Sequence, residues 1–194
     1  MRSVFVFLSL VAALTITTGC KTTQAVKAQP LKPVYGEGVD LTRYNVATVQ
    51  PFEVRSDKPE DAQAGVVLAN AIAQRLGNDF GGLFQMVRVG TPTGAPDEVV
   101  VTGRITEYEP GSRAARLLGP GIGRAELRGE LVVKDASTSY PLVIAPIDKL
   151  WAWGHGVGAA KGMEEMIEES AASAANMIAR AKGWDPRSPV IVRR

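Results

Sequence analysis

The cleanest pattern in the chain lies between residues 125 and 134. There Ala125, Leu127, Gly129, Leu131 and Val133 alternate with Glu126, Arg128, Glu130, Val132 and Lys134. A period of two puts one set of side chains in a core and the other in water, which predicts a half-buried strand. Turn-forming residues 135–139 follow, so 140–153 should return antiparallel to it. Pro141 and Pro146 restrict that return strand to an edge or a bulge, because proline brings no N–H to a ladder. Residues 99–108, opening on Val99, Val100 and Val101, read as another strand, as do 44–50 and 84–89.

Two stretches carry the helical period instead. Leu68, Ile72 and Leu76, flanked by Ala69 and Ala73, predict a helix over 59–78, opened by Pro59 and stopped by Gly81-Gly82. Met163, Met166, Ile167, Ala171, Ala174, Met177, Ile178 and Ala181 form a second stripe that ends before Gly183, with Glu164, Glu165, Glu168 and Glu169 mostly off it. The resulting order, β-α-β-β-β-β-α, predicts an α+β fold: a mainly antiparallel sheet of about five strands with two helices on one face. The globular domain is expected over 41–185, with a C-terminal tail at 186–194.

Before the domain comes an address. Met1, Arg2 and Ser3 lead into the apolar run 4–16, then Thr17-Thr18-Gly19-Cys20. The run falls short of the roughly 20 residues that span a hydrocarbon core, so it reads as a secretory signal peptide over 1–19. Gly19-Cys20 resembles a bacterial lipobox, which implies an acylated Cys20 as the first mature residue. By similarity to enterobacterial lipoproteins, Lys21 in place of aspartate implies sorting to the outer membrane. Residues 20–40, with Pro30, Pro33, Gly36 and Gly38, read as a flexible tether from that anchor.

Composition narrows the chemistry. A length of 194 residues with 45% hydrophobic and 22% charged residues suits one globular domain. Twenty-two basic against 20 acidic residues leave a net charge of +2, so no overall field draws the chain to nucleic acid. One cysteine and one histidine exclude a disulfide scaffold and a Cys/His zinc site, and no cofactor or metal is expected.

The most unusual segment is 111–124, rich in glycine and carrying Arg113, Arg116 and Arg124, with Arg104 and Arg128 on the flanking strands. Its amides and guanidinium forks could hold a phosphate, carboxylate or lipid headgroup. The alternative is a connection whose arginines pair with Glu107, Glu109 and Glu126. No strand, G-x-G-x-x-G, helix context accompanies it, which argues against a nucleotide. Gly154-His155-Gly156-Val157-Gly158 precedes the last helix and serves either as an anion cradle or as a turn. An acylated Cys20 cannot partner His155, and no G-x-S-x-G accompanies it, so no catalytic residue is assigned. The four glutamates read as a solvated face rather than a calcium site. Trp151 and Trp153 share a strand face and either pack on the last helix or stack on a glycan.

Thr102-Gly103-Arg104-Ile105, Gly111-Ser112-Arg113-Ala114, Gly119, Gly121 and Gly123, the alternating strand, Asp135-Ala136-Ser137-Thr138 and the alanine-rich helix together resemble the bacterial lipoprotein family called domain of unknown function 4410, over residues 44–182. Residues 46–52, the first helix and 84–89 are similar to the opening of envelope-assembly lipoproteins of curli export and flagellar assembly. Neither resemblance implies a catalytic residue. The expectation is an outer-membrane-anchored, periplasm-facing lipoprotein that binds or assembles rather than catalyses. Its partners would be the membrane, through Cys20, and an envelope protein. The alternatives are a carboxylate-dependent envelope or glycan hydrolase, and an anion or lipid-headgroup carrier using the arginines.

Overall fold

A computed structural model of the chain describes residues 28–112, 123–151 and 162–187. The elements are β1 (Val46–Val49), β2 (Glu53–Val54), a 3-10 turn (Pro59–Asp61), α1 (Ala62–Asn78), β3 (Met86–Val89), β4 (Glu98–Glu109), β5 (Ala125–Asp135), β6 (Pro141–Trp151) and α2 (Met163–Ala181). They build one sheet in the order β3-β1-β4-β5-β6, with β2 continuing alongside β4.

The α+β class holds, with a mixed sheet in place of the mainly antiparallel one expected. β4, β5 and β6 are antiparallel, joined without a helix between β5 and β6. β1 runs parallel to both β3 and β4, and β2 runs parallel to β4. The cause is α1, which carries the chain from β2 back to the end where β1 began, so that β3 must start in the same direction. Since β6 also runs in the direction of β4, α2 returns the chain the same way. Both helices therefore start at the end of the sheet where β4 finishes, called here the far end, and finish at the end where β4 starts, the near end.

Both helices cover a single face. Ala47, Val49, Val99, Val101, Ile105, Leu127, Leu131, Val133, Val143, Ala145 and Ile147 point from the strands into one cluster with Leu68, Ile72 and Leu76 of α1 and Met166, Ala174 and Ile178 of α2. Gly103 breaks this inward row for a packing reason: a Cβ there would strike the Phe52 ring and the Glu130 carbonyl. Phe52, 4% exposed, fills the space.

Two buried carboxylates fasten the near end. Glu98, fully buried, accepts hydrogen bonds at Oε1 from Thr48 (2.5 Å) and Arg88 (2.9 Å), and at Oε2 from the Thr93 amide (2.8 Å), the Thr93 hydroxyl (2.6 Å) and the Gly94 amide (3.0 Å). One side chain thus ties β1, β3 and the loop before β4 together. Asp135 closes the β5–β6 turn through Ser137 and Thr138, and its other oxygen accepts from Tyr44 (2.9 Å) and Arg43 (3.1 Å).

The segment expected to be a tether is not free over its described part. The amide of Leu31 donates to Ser173 of α2 (3.3 Å), Val34 donates to Ile144 of β6 (2.8 Å), Ile144 donates to Tyr35 (3.1 Å), and Leu41 donates to Ala181 (2.8 Å). Residues 28–41 form a strap over the near end, with Leu31 and Val39 packed on the core and Leu41 within it. The strap pairs with the outer edge of β6 at Ile144, satisfying its N–H and C=O there. A cavity of about 290 Å³ remains beneath it, lined by Leu31, Val39, Leu41, Val143, Met177 and Ile178 among others.

Candidate binding cleft

At the far end a larger recess of about 500 Å³ opens between the starts of the two helices and the end of β4. α1 and the turn before it contribute Glu60, Gln63, Ala64 and Val67, and α2 contributes Gly162, Met163, Glu164 and Ile167. Tyr108, Pro110 and Gly111 complete it from β4 and the residues just beyond. Pro110 and Gly111 lead into the arginine- and glycine-rich segment, and Gly162 follows the glycine-rich segment around His155. The described flanks of the two least regular stretches of sequence therefore meet at one cleft.

Tyr108 reaches this cleft because of a bulge. Ile105 pairs with Gly129 but Glu107 pairs with Arg128, so Thr106 is an extra residue that reverses the alternation of β4. Without the bulge, the inward row Val99, Val101, Ile105 would continue to Glu107. With it, Tyr108 turns inward opposite Leu127 and packs against the core. Burial raises the pKa of its phenol above the ordinary value, and the negative charges of Asp61 and Glu164 raise it further. Asp61 is itself buried and accepts a hydrogen bond from Ser56 (2.5 Å).

The glutamates of α2 divide their roles. Glu165 closes the helix start, its Oε2 accepting from the Gly162 amide at 2.6 Å. Glu168 pairs with Arg75 of α1 at 2.9 Å. Glu164 remains at the cleft, where it and Glu60 give the rim a negative character over an apolar wall of Ala64, Val67, Met163 and Ile167. The described lining suits a partner that brings an apolar side chain together with a cationic or neutral hydrogen-bonding group.

The arginines fare differently from one another. Arg124 pairs with Glu126 at 3.5 Å, Arg104 approaches Glu53 at 4.0 Å, and Arg128 contacts Glu126 (2.8 Å), Glu107 (3.4 Å) and Asp148 (3.4 Å). These three serve as ion-pair partners across the helix-free face of the sheet. Arg113 and Arg116 lie outside the described residues, as do Cys20, His155 and Trp153, while Trp151 ends β6. Among the described residues no cluster of three or more His, Cys, Asp or Glu side chains is arranged to hold a metal ion, and no helix is long and apolar enough to cross a membrane.

Sequence periodicity did not single out Glu60, Gln63, Val67 or Tyr108. No motif marks them, because they come together only through the parallel return of both helices and the bulge at Thr106.

No curated protein sequence matches this chain. Among solved structures, the PelC dodecamer of Paraburkholderia phytofirmans is 15% identical over 78% of this chain and 96% of its own, with a TM-score of 0.48. Protein XCC0632 of Xanthomonas campestris is 9% identical over 81% of this chain and 91% of its own, with a TM-score of 0.44. At such values each neighbour's role stays with that neighbour. The family model is a different matter: it matches residues 34–180, from the strap through the β4 bulge and both helices to the end of α2, and the chain belongs to the family described as Domain of unknown function (DUF4410).

Proposed function

We propose that this chain is a lipid-anchored, periplasm-facing protein of the outer membrane that works by binding or assembly at its far-end cleft, not by catalysis. The observation that carries the reading is the polarity of the fold. The strap, which leads back toward Cys20, is bonded along the C-terminal half of α2, whereas the cleft sits at the N-terminus of the same helix. Along α2 at 1.5 Å per residue, Ser173, which receives the Leu31 amide, lies about 15 Å beyond Met163 of the cleft, and Ala181, which receives that of Leu41, lies about 27 Å beyond it. An anchor at one end and a recess at the other is the arrangement of a protein that presents a binding surface away from the lipid.

The chemistry of the buried polar groups supports the same reading. Glu98 and Asp135, the described carboxylates held furthest below their usual range, spend their lone pairs on structural hydrogen bonds. A group used in that way has no capacity left to move a proton for a substrate.

Two measurements test the proposal. Radiolabelled palmitate should enter the wild-type protein and not Cys20→Ser, and the labelled protein should fractionate with the outer membrane. A photocrosslinking residue in place of Val67 should trap a partner in intact envelopes that the same residue in place of Lys134 does not. Palmitate-free, soluble protein would overturn the anchor. Turnover of an envelope glycan by the purified chain, abolished by Glu164→Gln, would overturn the non-catalytic reading.

A further inference from the structure

The near end carries an exposed patch that the core does not explain. Val34 is 73% exposed, Tyr35 43% and Tyr140 58%. They are neighbours: Val34 is bonded to Ile144 of β6, and the hydroxyls of Tyr35 and Tyr140 lie 2.7 Å apart. A shallow groove of about 360 Å³ between Tyr35, Val39, Tyr140 and Leu142 extends the patch. The strap is held there by Gly36, whose φ of +74° favours glycine and whose Cβ, were there one, would collide with the Leu142 carbonyl. The patch is therefore a fixed part of the surface.

The length of chain between this surface and Cys20 decides what it can meet. Eight peptide steps separate Cys20 from Ala28, and even fully extended they span at most about 29 Å. An acylated Cys20 therefore holds the lipid within that distance of the strap that carries Val34 and Tyr35. We propose that, with Cys20 acylated, Val34, Tyr35 and Tyr140 seat on the bilayer surface, the tyrosine rings at headgroup depth. This rests on the lipid-anchor reading above and adds to it a second, non-covalent contact and a defined orientation. Tyrosine suits the position because its ring is apolar while its hydroxyl stays in the wet headgroup layer. The surrounding charges are mixed, with Lys32 against Glu37 and Asp40, all exposed. Seating therefore depends on the apolar and aromatic groups and not on attraction to anionic lipid, and it should persist at high salt.

The test uses the full-length acylated protein in vesicles of phosphatidylethanolamine and phosphatidylglycerol. Acylation blocks Cys20, so Tyr140→Cys introduces the one free thiol for an environment-sensitive fluorophore, and Gln63→Cys at the cleft provides the comparison. The expected result is blue-shifted emission at position 140, with quenching by lipids bearing a nitroxide near the headgroup, and neither effect at position 63. High salt should leave the quenching unchanged, and Val34→Glu in the Tyr140→Cys background should abolish it. Absence of quenching at 140 while Cys20 still takes up palmitate would overturn the seating and leave the anchor standing. Failure of Cys20 to take up palmitate would overturn the anchor itself. A blue shift without quenching, together with disulfide crosslinks between 140 positions when the thiol is left unlabelled, would mean that a second copy covers the patch, and would also overturn the proposal.

Discussion

Glu98→Gln offers a quantitative test of how the near end is held. The carboxylate is fully buried and accepts five hydrogen bonds, two at one oxygen and three at the other. A glutamine keeps the shape but turns one of the two acceptor positions into a donor. It must then face either Thr48 and Arg88 or Thr93 and Gly94, all of which donate. Removing one member of a buried charged cluster in this way costs about 3 kcal/mol or somewhat more. A second route gives a similar figure. Burial alone would raise the pKa of Glu98, but the donors from Thr48, Thr93 and Arg88 outweigh it and hold the group at about 2, against an ordinary 4.5. At 1.36 kcal/mol per pKa unit, that difference corresponds to roughly 3 kcal/mol. Because folding lowers this pKa, the stabilisation is complete above pH 4.5 and drains away as the pH falls toward 2. Urea unfolding of wild type and Glu98→Gln at neutral pH and at pH 3 measures both quantities. The variant should be weaker by about 3 kcal/mol at neutral pH, and the gap should narrow in acid. A neutral-pH difference below about 0.5 kcal/mol, the level of an ordinary surface change, would refute the reasoning, as would a gap that stays constant with pH.

Other perturbations read other parts of the molecule. Gly36→Ala should cost about 1–2 kcal/mol from its left-handed backbone alone, more with the collision at Leu142, and should expose residues 28–41 to limited proteolysis while the body stays folded. Asp135→Asn should lower the urea midpoint, with a loss of about 1–3 kcal/mol, because hydrogen bonds from Ser137, and then from Thr138 and Tyr44, hold the carboxyl well below its usual range against the effect of burial. The contribution of Asp135 is likewise present above the ordinary aspartate pKa and lost in acid. Leu68→Ala removes a fully buried side chain between α1 and the sheet and should cost about 2–5 kcal/mol by thermal or chemical denaturation. Glu168→Ala, by contrast, removes a half-exposed partner of Arg75 while Arg75 keeps Asp79 at 3.2 Å, and should shift stability by less than about 1 kcal/mol.

Much of the architecture was legible because burial writes directly into spacing. The alternation of residues 125–134 and the stripes of α1 and α2 gave elements that begin and end within a few residues of the observed ones, and all of them point their apolar positions into one core. Pro141 and Pro146 correctly placed β6 at an edge of the sheet. The strap was less legible. Its prolines and glycines resemble those of a linker, and only contacts distant in sequence, to Ile144, Ser173 and Ala181, show that it is bonded down.

The sequence by itself determined the element order apart from β2, the apolar faces of β5 and both helices, the family resemblance and the single cysteine on which the anchor proposal stands. These follow from local properties of the chain: periodicity, turn chemistry and motif spacing. The tertiary structure alone decided that the sheet is mixed, that Tyr108 faces the helices, that Arg104, Arg124 and Arg128 pair with acids, and that a cleft and a strap occupy opposite ends of α2. Strand direction depends on where a crossover returns the chain, and a bulge of one residue reverses every side chain beyond it. Neither leaves a periodic signal, because both are settled by contacts between residues far apart along the chain.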